Sequence, residues 1–233
     1  MLNVYMCDLT HTGLGINANT FPLGLGSITS YLLKKMDGKV KCKLFKFPDK
    51  LNTALEQKIP DVLCMSYYTW NANLTYAFAK HVKEKNPKTM IIFGGPNFPH
   101  EKEKRKLFLM ENPAVDFYIK WDGEYALTNL LQNYINSDIN ISKLKSSNIL
   151  LDNVCYVDQD KYLEGKDQRV TDFSSIPSPY LTGLLDQFFD HPLTPIIETN
   201  RGCPYSCTFC NDGHLLRSSI SRKDPKVFEA ELE

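Results

Sequence analysis

The hydrophobic positions of this chain follow two alternating patterns from residue 1 to about residue 136. Short apolar runs, typical of strands that are buried on both faces of a parallel sheet, are separated by segments with helical spacing. The predicted strands are residues 2–9, 39–47, 61–68, 89–94 and 115–120. The predicted helices are residues 23–36, 51–58, 71–85, 101–110 and 124 to about 135. This alternation predicts an α/β fold with a doubly wound parallel sheet of five strands, of Rossmann or flavodoxin-like type.

The pattern changes after residue 138 and divides the rest of the chain into two segments. Residues 139–191 contain an alternating stretch, a polar turn at residues 158–161 and a second short apolar run, which together predict a β-hairpin. The prolines within residues 176–180 predict extended chain, because a residue before proline disfavours the helical conformation. Residues 192–233 combine an apolar run at 195–198, expected to be a strand, with a final helix from Pro225. We therefore expect a domain at residues 1–138, a connector at 139–191 and the start of a third unit at 192–233.

Charge and composition narrow the class of protein. The chain has 27 basic and 27 acidic residues and a formal net charge of zero, so it carries no general electrostatic footprint for nucleic acid. It has no apolar run of the roughly 18 residues that a membrane span requires, and its first residues lack the basic start of a signal peptide. Cys7, Cys42, Cys64 and Cys155 lie in apolar strand-like segments and are interpreted as buried reduced thiols. These features favour a cytoplasmic protein.

Three closely spaced cysteines give the strongest chemical signal in the chain. Cys203, Cys207 and Cys210 have the spacing C-x3-C-x2-C, with Phe209 directly before the third cysteine. Three thiolates on one short loop can bind three irons of a [4Fe–4S] cluster and leave the fourth iron without a protein ligand. His214 leaves an alternative open, because three cysteines and one histidine can also close a tetrahedral zinc site. Zinc ribbons usually pair two C-x2-C knuckles, and the sequence has no second knuckle, so the spacing favours the cluster.

This cysteine segment resembles the cluster loop of the radical S-adenosylmethionine (SAM) enzymes. The resemblance implies that Cys203, Cys207 and Cys210 ligate the cluster and that the amino and carboxylate groups of SAM chelate its open iron. It places Phe209 beside the adenine of SAM. It also implies reductive cleavage of SAM to a 5′-deoxyadenosyl radical, with the electron supplied by a donor such as flavodoxin or ferredoxin.

The loops that follow the predicted strands carry glycines, polar side chains and aromatic residues. Ligands of doubly wound sheets bind outside the carboxyl ends of the strands, so these loops are expected to form a binding site. Glycines there let the backbone approach a flat ligand closely. The candidate binding residues are Gly24, Ser66, Tyr67, Gly94, Gly95, Pro96, Gly123 and Glu124.

The same loops are similar to those of cobalamin-binding domains, in which a Ser-x-Leu segment after the third strand and a Gly-Gly after the fourth enclose the nucleotide tail. Ser66 and the pair Gly94 and Gly95 match this pattern, whereas Tyr68 replaces the leucine. The Asp-x-His-x-x-Gly motif that supplies a lower cobalt ligand is absent from the sequence, as it generally is in cobalamin domains attached to radical SAM enzymes. The resemblance implies that the candidate binding residues contact cobalamin.

Two other patterns in the first long loop have simpler explanations. Gly13, Gly15 and Ala18 satisfy the G-x-G-x-x-A spacing of dinucleotide-binding loops, but that motif must open a helix directly. No helical pattern begins before Pro22, which argues against a dinucleotide site. His11 could ligate cobalt, yet a lone histidine in a loop is more often a surface residue.

Together the two resemblances cover the whole chain and imply the N-terminal part of a cobalamin-dependent radical SAM enzyme. The implied reaction is methyl transfer to an unactivated centre of a small-molecule or peptide substrate, although other family members perform ring contraction or cyclisation. Only about one β-α unit of a TIM-like radical SAM barrel is present, so we expect a fragment that does not turn over alone. Two alternatives stay open: a non-catalytic module that carries cobalamin and cluster, and a zinc-stabilised nucleotide-binding oxidoreductase.

Overall fold

A twisted, mostly parallel sheet organises the chain. The computed structural model describes residues 1–12, 18–210 and 215–233. In this part of the chain the main sheet has seven strands in the order β2-β1-β3-β4-β5-β6-β7. The strands are β1 (Leu2–Cys7), β2 (Val40–Phe45), β3 (Val62–Ser66), β4 (Met90–Gly94), β5 (Phe117–Ile119), β6 (Val154–Asp158) and β7 (Lys161–Glu164). Strands β1 to β5 are parallel in the flavodoxin-like order, so the α/β prediction is confirmed.

Helices connect the parallel strands in the predicted alternation. They are α1 (Leu23–Lys35), α2 (Pro48–Gln57), α3 (Ala72–Lys85), α4 (Lys102–Glu111) and α5 (Gly123–Asn136). Helix α2 begins earlier than predicted, because Pro48 occupies its first turn, where a missing backbone N–H costs nothing. A further short helix, α6 (Ile141–Ser146), follows α5 and was not predicted; the side chain of Asn140 caps it by accepting a hydrogen bond from Lys143 N–H.

The predicted hairpin belongs to the main sheet, so the expectation of five strands omitted two. Strands β6 and β7 pair antiparallel with each other, and β6 pairs antiparallel with β5 through Tyr118 opposite Cys155 and Ile119 opposite Val154. The outer edge of β5 would otherwise leave backbone donors and acceptors unpaired, and the hairpin satisfies them. Residues 153–164 of the predicted connector therefore complete the first unit.

Both faces of the sheet are covered, which leaves the strand ends as the open region. Alternate residues of β1 point to opposite sides: Val4 and Met6 pack with α1 and α5, whereas Tyr5 and Cys7 pack with α2, α3 and α4. Strands β1 to β5 all end on the same side of the molecule, and this side is called the carboxyl edge. The order in which the strands are added changes direction between β1 and β3, and such a switch point creates a crevice at the carboxyl edge.

The last segment of the chain runs along the carboxyl edge. The predicted strand at residues 195–198 is wrong: these residues form no strand, and regular pairing begins only at β8 (Asn200–Arg201), which pairs antiparallel with β9 (Ser221–Arg222). Before it, Thr194 makes a single parallel bridge with Thr20. Pro195 lacks a backbone donor, so it cannot continue that bridge into a ladder.

The predicted final helix is confirmed as α7 (Pro225–Leu232), capped by Asp224, whose carboxylate accepts the backbone N–H of Lys226. None of the helices described for this chain is long and apolar enough to cross a bilayer.

Candidate functional site

Two loops at the carboxyl edge bring four of the candidate binding residues together. Ser66 ends β3 and Gly94 ends β4, and the two residues are register partners in adjacent strands. The Tyr67 N–H donates to Gly94 O at 2.6 Å, which carries the pairing one residue beyond β3. Gly95 has a φ of +120°, a conformation that favours glycine, and lies exposed at the edge. The loops after β3 and β4 therefore form one continuous backbone surface.

Asn71 holds this surface to the loop after β1. Its side chain is fully buried; its amide nitrogen donates to Leu9 O at 3.1 Å and to Ser66 O at 3.2 Å. Its amide oxygen accepts the Tyr68 N–H at 2.8 Å. One side chain thus fixes three backbone positions on two neighbouring strand ends. The sequence analysis missed Asn71, although its position directly before helix α3 is a signal for a residue that organises a turn.

An aromatic group supports the loop after β4 from below. The rings of Phe98 and Tyr118 stack with centroids 3.7 Å apart, and Phe108 packs edge-on against Tyr67 at 5.4 Å. The Tyr118 hydroxyl donates to Gly95 O at 2.8 Å. Because these rings are partly or fully buried, the exposed glycine backbone rests on a rigid base.

Tyr68 and Trp70 form a stacked pair at the same edge. Their ring centroids are 4.3 Å apart with an angle of 9° between the rings, and Trp70 remains 48% exposed. Burial, together with the charge of nearby Asp8, raises the pKa of Tyr68 to about 12. The phenol therefore stays protonated at neutral pH and presents a donor, while the indole presents an open aromatic surface.

The loop after β1 is anchored by charge. Lys46 Nζ lies 2.8 Å from Asp8 Oδ2, and the two side chains are 2% and 16% exposed. His11 Nε2 lies 3.0 Å from Trp70 O, so one ring nitrogen already has a protein partner. This contact agrees with the interpretation of His11 as a structural residue of the loop.

The described part of the first long loop does not open a helix. Gly13 and Gly15 lie outside the described residues, but Ala18 is described, and its N–H donates to Thr10 Oγ1 at 3.0 Å. Helix α1 begins only at Leu23, beyond the bridge made by Thr20. The third small residue of the G-x-G-x-x-A pattern therefore does not pack at a helix start, as a dinucleotide site requires.

The remaining candidate binding residues occupy α1 and α5. Gly24 lies exposed in the first turn of α1, and a Cβ built there meets nothing within 4 Å. Gly123 starts α5, where a Cβ would lie 2.6 Å from the end of the Ile28 side chain on α1. Glu124 is buried, and its Oε1 lies 2.8 Å from Arg201 Nη2. The structure thus directs the Glu124 carboxylate toward the cysteine segment, and its predicted contact with cobalamin stays a prediction.

The three cysteines lie on an accessible segment, residues 203–210, called the cysteine loop. All three thiols are free; Cys203 is half-buried, whereas Cys207 and Cys210 are exposed. Phe209 is 91% exposed. In the part of the chain that the structure describes, no three histidine, cysteine, aspartate or glutamate side chains are close enough to hold a metal ion. His214, the fourth ligand of the zinc alternative, lies outside the described residues.

The donor chemistry of the cysteine loop fits an iron–sulfur cluster. Three free, accessible thiols on one segment are the ligands that such clusters use. The carboxyl edge fits a corrin, because exposed Gly95 and half-buried Gly94 have no side chain that would block a flat ligand. Thr20 in the loop after β1 bridges Thr194, and Glu124 at the start of α5 pairs with Arg201, so the chain that leads into the cysteine loop contacts the carboxyl edge.

Comparison with known proteins adds an independent observation. No protein-family profile matches the chain. The chain is 29% identical over 185 residues to the cobalamin-dependent radical SAM methyltransferase TokK of Streptomyces tokunonensis, a match that covers 75% of this chain and 25% of TokK. It is 28% identical over 234 aligned positions to the 2-(S-pantetheinyl)-carbapenam-3-carboxylate methyltransferase of Streptantibioticus cattleyicolor, with 94% and 33% of the two chains covered.

A solved structure shares the fold. OxsB, a cobalamin-dependent SAM radical enzyme with aqua-cobalamin and SAM bound, superposes with a TM-score of 0.74 at 19% identity over 100% of this chain and 31% of OxsB. The chain spans about a quarter to a third of the length of these proteins.

Proposed function

We propose that this chain, a member of the cobalamin-binding radical SAM enzyme family, binds cobalamin at the carboxyl edge and a [4Fe–4S] cluster at the cysteine loop. The observation that supports the proposal is that three free thiols follow closely after Arg201, which pairs with Glu124 at the start of α5, on the carboxyl edge of a flavodoxin-like sheet. Neither feature alone would require two cofactors. A cluster loop joined to this edge is what a reaction that uses both cofactors would need.

For cobalamin, the proposal rests on the backbone surface formed by the loops after β3 and β4. Ser66, Tyr67, Gly94, Gly95 and Pro96 would receive the nucleotide tail along this surface. Asn71 joins the loop after β3 to the loop after β1, and the stacked rings of Phe98 and Tyr118 support the loop after β4. Gly24 lies on α1, and Gly123 and Glu124 on α5.

For the cluster, Cys203, Cys207 and Cys210 would supply three thiolates, and Phe209 would lie beside the adenine of SAM. When bound, the cluster with SAM would supply one-electron cleavage of the sulfonium, and cobalamin would supply a transferable methyl group. The protein would contribute accessible thiols, since Cys207 and Cys210 are exposed and leave a path for iron.

Methyl transfer to an unactivated centre of a small-molecule or peptide substrate is the overall reaction proposed for the longer enzyme. Its electron donor would be a protein such as flavodoxin or ferredoxin, and its location would be the cytoplasm. These statements extend beyond the chain, because the relatives that it matches are about three times as long.

Anaerobic reconstitution with iron and sulfide tests the cluster directly. The chain should retain about four irons, and Cys203→Ala, Cys207→Ala and Cys210→Ala should each lose most of them. Cys42→Ala is the matched control, because Cys42 is a partly buried free thiol on β2, away from the cysteine loop. Iron that persists in all three loop variants, or that is lost equally in Cys42→Ala, would contradict the proposal.

A further inference from the structure

The three-residue turn between β5 and α5, together with the first turn of α5, contacts three separate places in the last third of the chain. Asp122 Oδ2 accepts Arg169 Nε at 2.7 Å and the Val170 N–H at 2.8 Å. The Trp121 ring lies 5.9 Å from the guanidinium of Arg217. Glu124 binds Arg201, which precedes the cysteine loop by two residues. The region where β5 leads into α5 therefore binds the residues on both sides of the cysteine loop.

Arg201 lies in a closed set of partners. Its Nη2 is 2.8 Å from Glu124 Oε1, and its Nε and Nη2 are 2.8 and 3.0 Å from the two oxygens of Glu198. The guanidinium also lies 4.9 Å from the ring centroid of Phe173. The planar fork of an arginine makes this geometry specific, because a lysine could not bind two carboxylates and stack at once.

The side chains of Glu124 and Arg201 are both largely buried, so each charge needs the other as its partner. The Glu124 side chain is 2% exposed and the Arg201 side chain is 11% exposed. Burial raises the pKa of the Glu124 carboxyl, while the charge of Arg201 and its hydrogen bond oppose this rise. Burial alone would lower the pKa of Arg201, but Glu124 and Glu198 raise it overall. Each charge therefore depends on the other, and separating them would leave a buried ion unpaired.

The backbone from Arg201 to Cys203, the first residue of the cysteine loop, is held in place by close contacts. Gly202 has a φ of +107°, and a Cβ there would lie 2.2 Å from Ser219 O, so only glycine fits this close approach. The Cys203 N–H then donates to Arg217 O at 2.8 Å. Arg201 also pairs with Ser221 in the β8–β9 ladder. The backbone between Arg201 and Cys203 therefore has little conformational freedom.

Trp121 adds evidence that the turn is held under constraint. Its φ is +56°, a left-handed value that is costly for a residue with a bulky side chain. Such strain persists where surrounding contacts determine the conformation, and it concentrates at functional sites. Here the ring contacts Arg217, whose carbonyl oxygen anchors Cys203.

We propose that Glu124 and Arg201 are positioning residues, which fix the start of the cysteine loop against the carboxyl edge of the sheet. The pair sets the distance between the thiols and the loops that follow the strands. The identity of the ligands at the two sites rests on the proposed function, whereas the positioning itself is a property of the chain without ligands.

Hydrogen exchange measured by mass spectrometry on the ligand-free chain tests the positioning. Glu124→Gln keeps the shape of the side chain and removes its charge, and Arg201→Lys removes the fork. In both variants, amides of residues 200–206 and 217–222 should exchange at least about tenfold faster, while strands β1 to β4 stay protected. After reconstitution, the same variants should hold less iron than the unmodified chain.

Asp116→Asn is the matched control. Asp116 is a buried carboxylate that pairs with Lys83 at 2.7 Å and accepts the Ile91 N–H, at the opposite end of β5 from Glu124. This variant should loosen the region around β4 and β5 and leave the cysteine segment unchanged. Where Glu124→Gln does not fold, Glu124→Asp replaces it and should accelerate exchange in the same two segments.

Three outcomes separate this inference from the proposed function. If amides of residues 200–206 and 217–222 exchange at an unchanged rate in Glu124→Gln and Arg201→Lys, the proposed positioning role is wrong, whatever metal the chain binds. Equal acceleration throughout the chain also overturns it, because a general loss of stability would then explain the result. A chain that takes up no iron but shows selective acceleration in these variants refutes the proposed function and supports the positioning.

Discussion

A Cβ atom on Gly95 would lie 2.8 Å from the carbonyl oxygen of Tyr67, and the φ of Gly95 is +120°. The two loops that form the candidate corrin surface therefore touch through backbone atoms alone. Any side chain at Gly95 would separate them or strain the turn.

Gly95→Ala should accordingly lower the free energy of unfolding by about 1–3 kcal/mol, the usual cost of a residue forced into such a conformation. It should also reduce the amount of hydroxocobalamin retained after gel filtration. Urea unfolding and visible absorbance measure the two effects. Gly24→Ala is the stability control, since a Cβ there meets nothing within 4 Å and alanine favours a helix. A Gly95→Ala chain as stable as the unmodified one would refute the strain at this turn.

The buried pair of Lys46 and Asp8 should matter more than its surface counterparts. Lys46→Ala leaves Asp8, which is 16% exposed, without its cation, and should cost about 3 kcal/mol of unfolding free energy. Lys104→Ala removes an ion pair of similar length whose side chains are 64% and 68% exposed, and should cost less than about 1 kcal/mol. Equal losses in the two variants, measured by urea unfolding, would show that burial does not govern this pair.

The four cysteines in the strands of the main sheet should react with alkylating reagents more slowly than the exposed cysteines of the cysteine loop. Burial raises the pKa of Cys42 to about 12 and that of Cys155 to about 11, and it also raises the pKa of Cys7 and Cys64. At about pH 8 only about one in a thousand Cys155 side chains would be ionised. Iodoacetamide followed by peptide mass spectrometry should therefore modify the exposed pair, Cys207 and Cys210, first.

Protection of Cys7, Cys64 and Cys155 should disappear in denaturant, which serves as the internal control. Alkylation of these three at the rate of Cys207 in the folded chain would contradict the burial described for β1, β3 and β6.

The buried carboxyl of Glu124 should contribute to the pH dependence of the free energy of unfolding. Burial raises its folded-state pKa above the ordinary 4.5. A carboxyl of this kind holds its proton more tightly in the folded chain, so it favours the folded state at low pH and loses that contribution as the pH rises through the folded-state pKa. Glu124→Gln removes the titration.

The unfolding free energy of the unmodified chain minus that of Glu124→Gln should therefore fall as the pH rises above the ordinary pKa of 4.5. Urea unfolding at several pH values measures the difference. A difference that increases over this range would mean that Arg201 lowers the folded-state pKa of Glu124 more than burial raises it.

The sequence predicted the features that local patterns determine. Continuous apolar runs identify buried parallel strands, and Pro225 marks a helix start, so the β-α alternation and α7 were found within a few residues. The short helix α6 has only six residues and too few apolar positions to show a period. Residues 195–198 were predicted as a strand from composition alone, although no neighbouring strand pairs with them.

Partners far apart in sequence account for the remaining differences. The hairpin strand β6 was expected in a connector, because nothing in its sequence specifies that β5 is its neighbour. Arg201 was visible beside Cys203, but its partner Glu124 lies in the first unit, where it was interpreted as a ligand contact. Long-range ion pairs of this kind have no periodic signature, so the candidate site was predicted by its loops and not by the contacts that join them.

Metal and corrin content of the anaerobically reconstituted chain test the central claim most directly. Iron, sulfide, zinc and cobalamin would be measured on the same sample, with hydroxocobalamin added before gel filtration. About four irons with about one cobalamin per chain is the expected result, because the proposal gives a [4Fe–4S] cluster three thiolate ligands and cobalamin a site at the carboxyl edge. One zinc per chain, with no iron and no retained corrin, would contradict the account and favour a closed zinc site that includes His214.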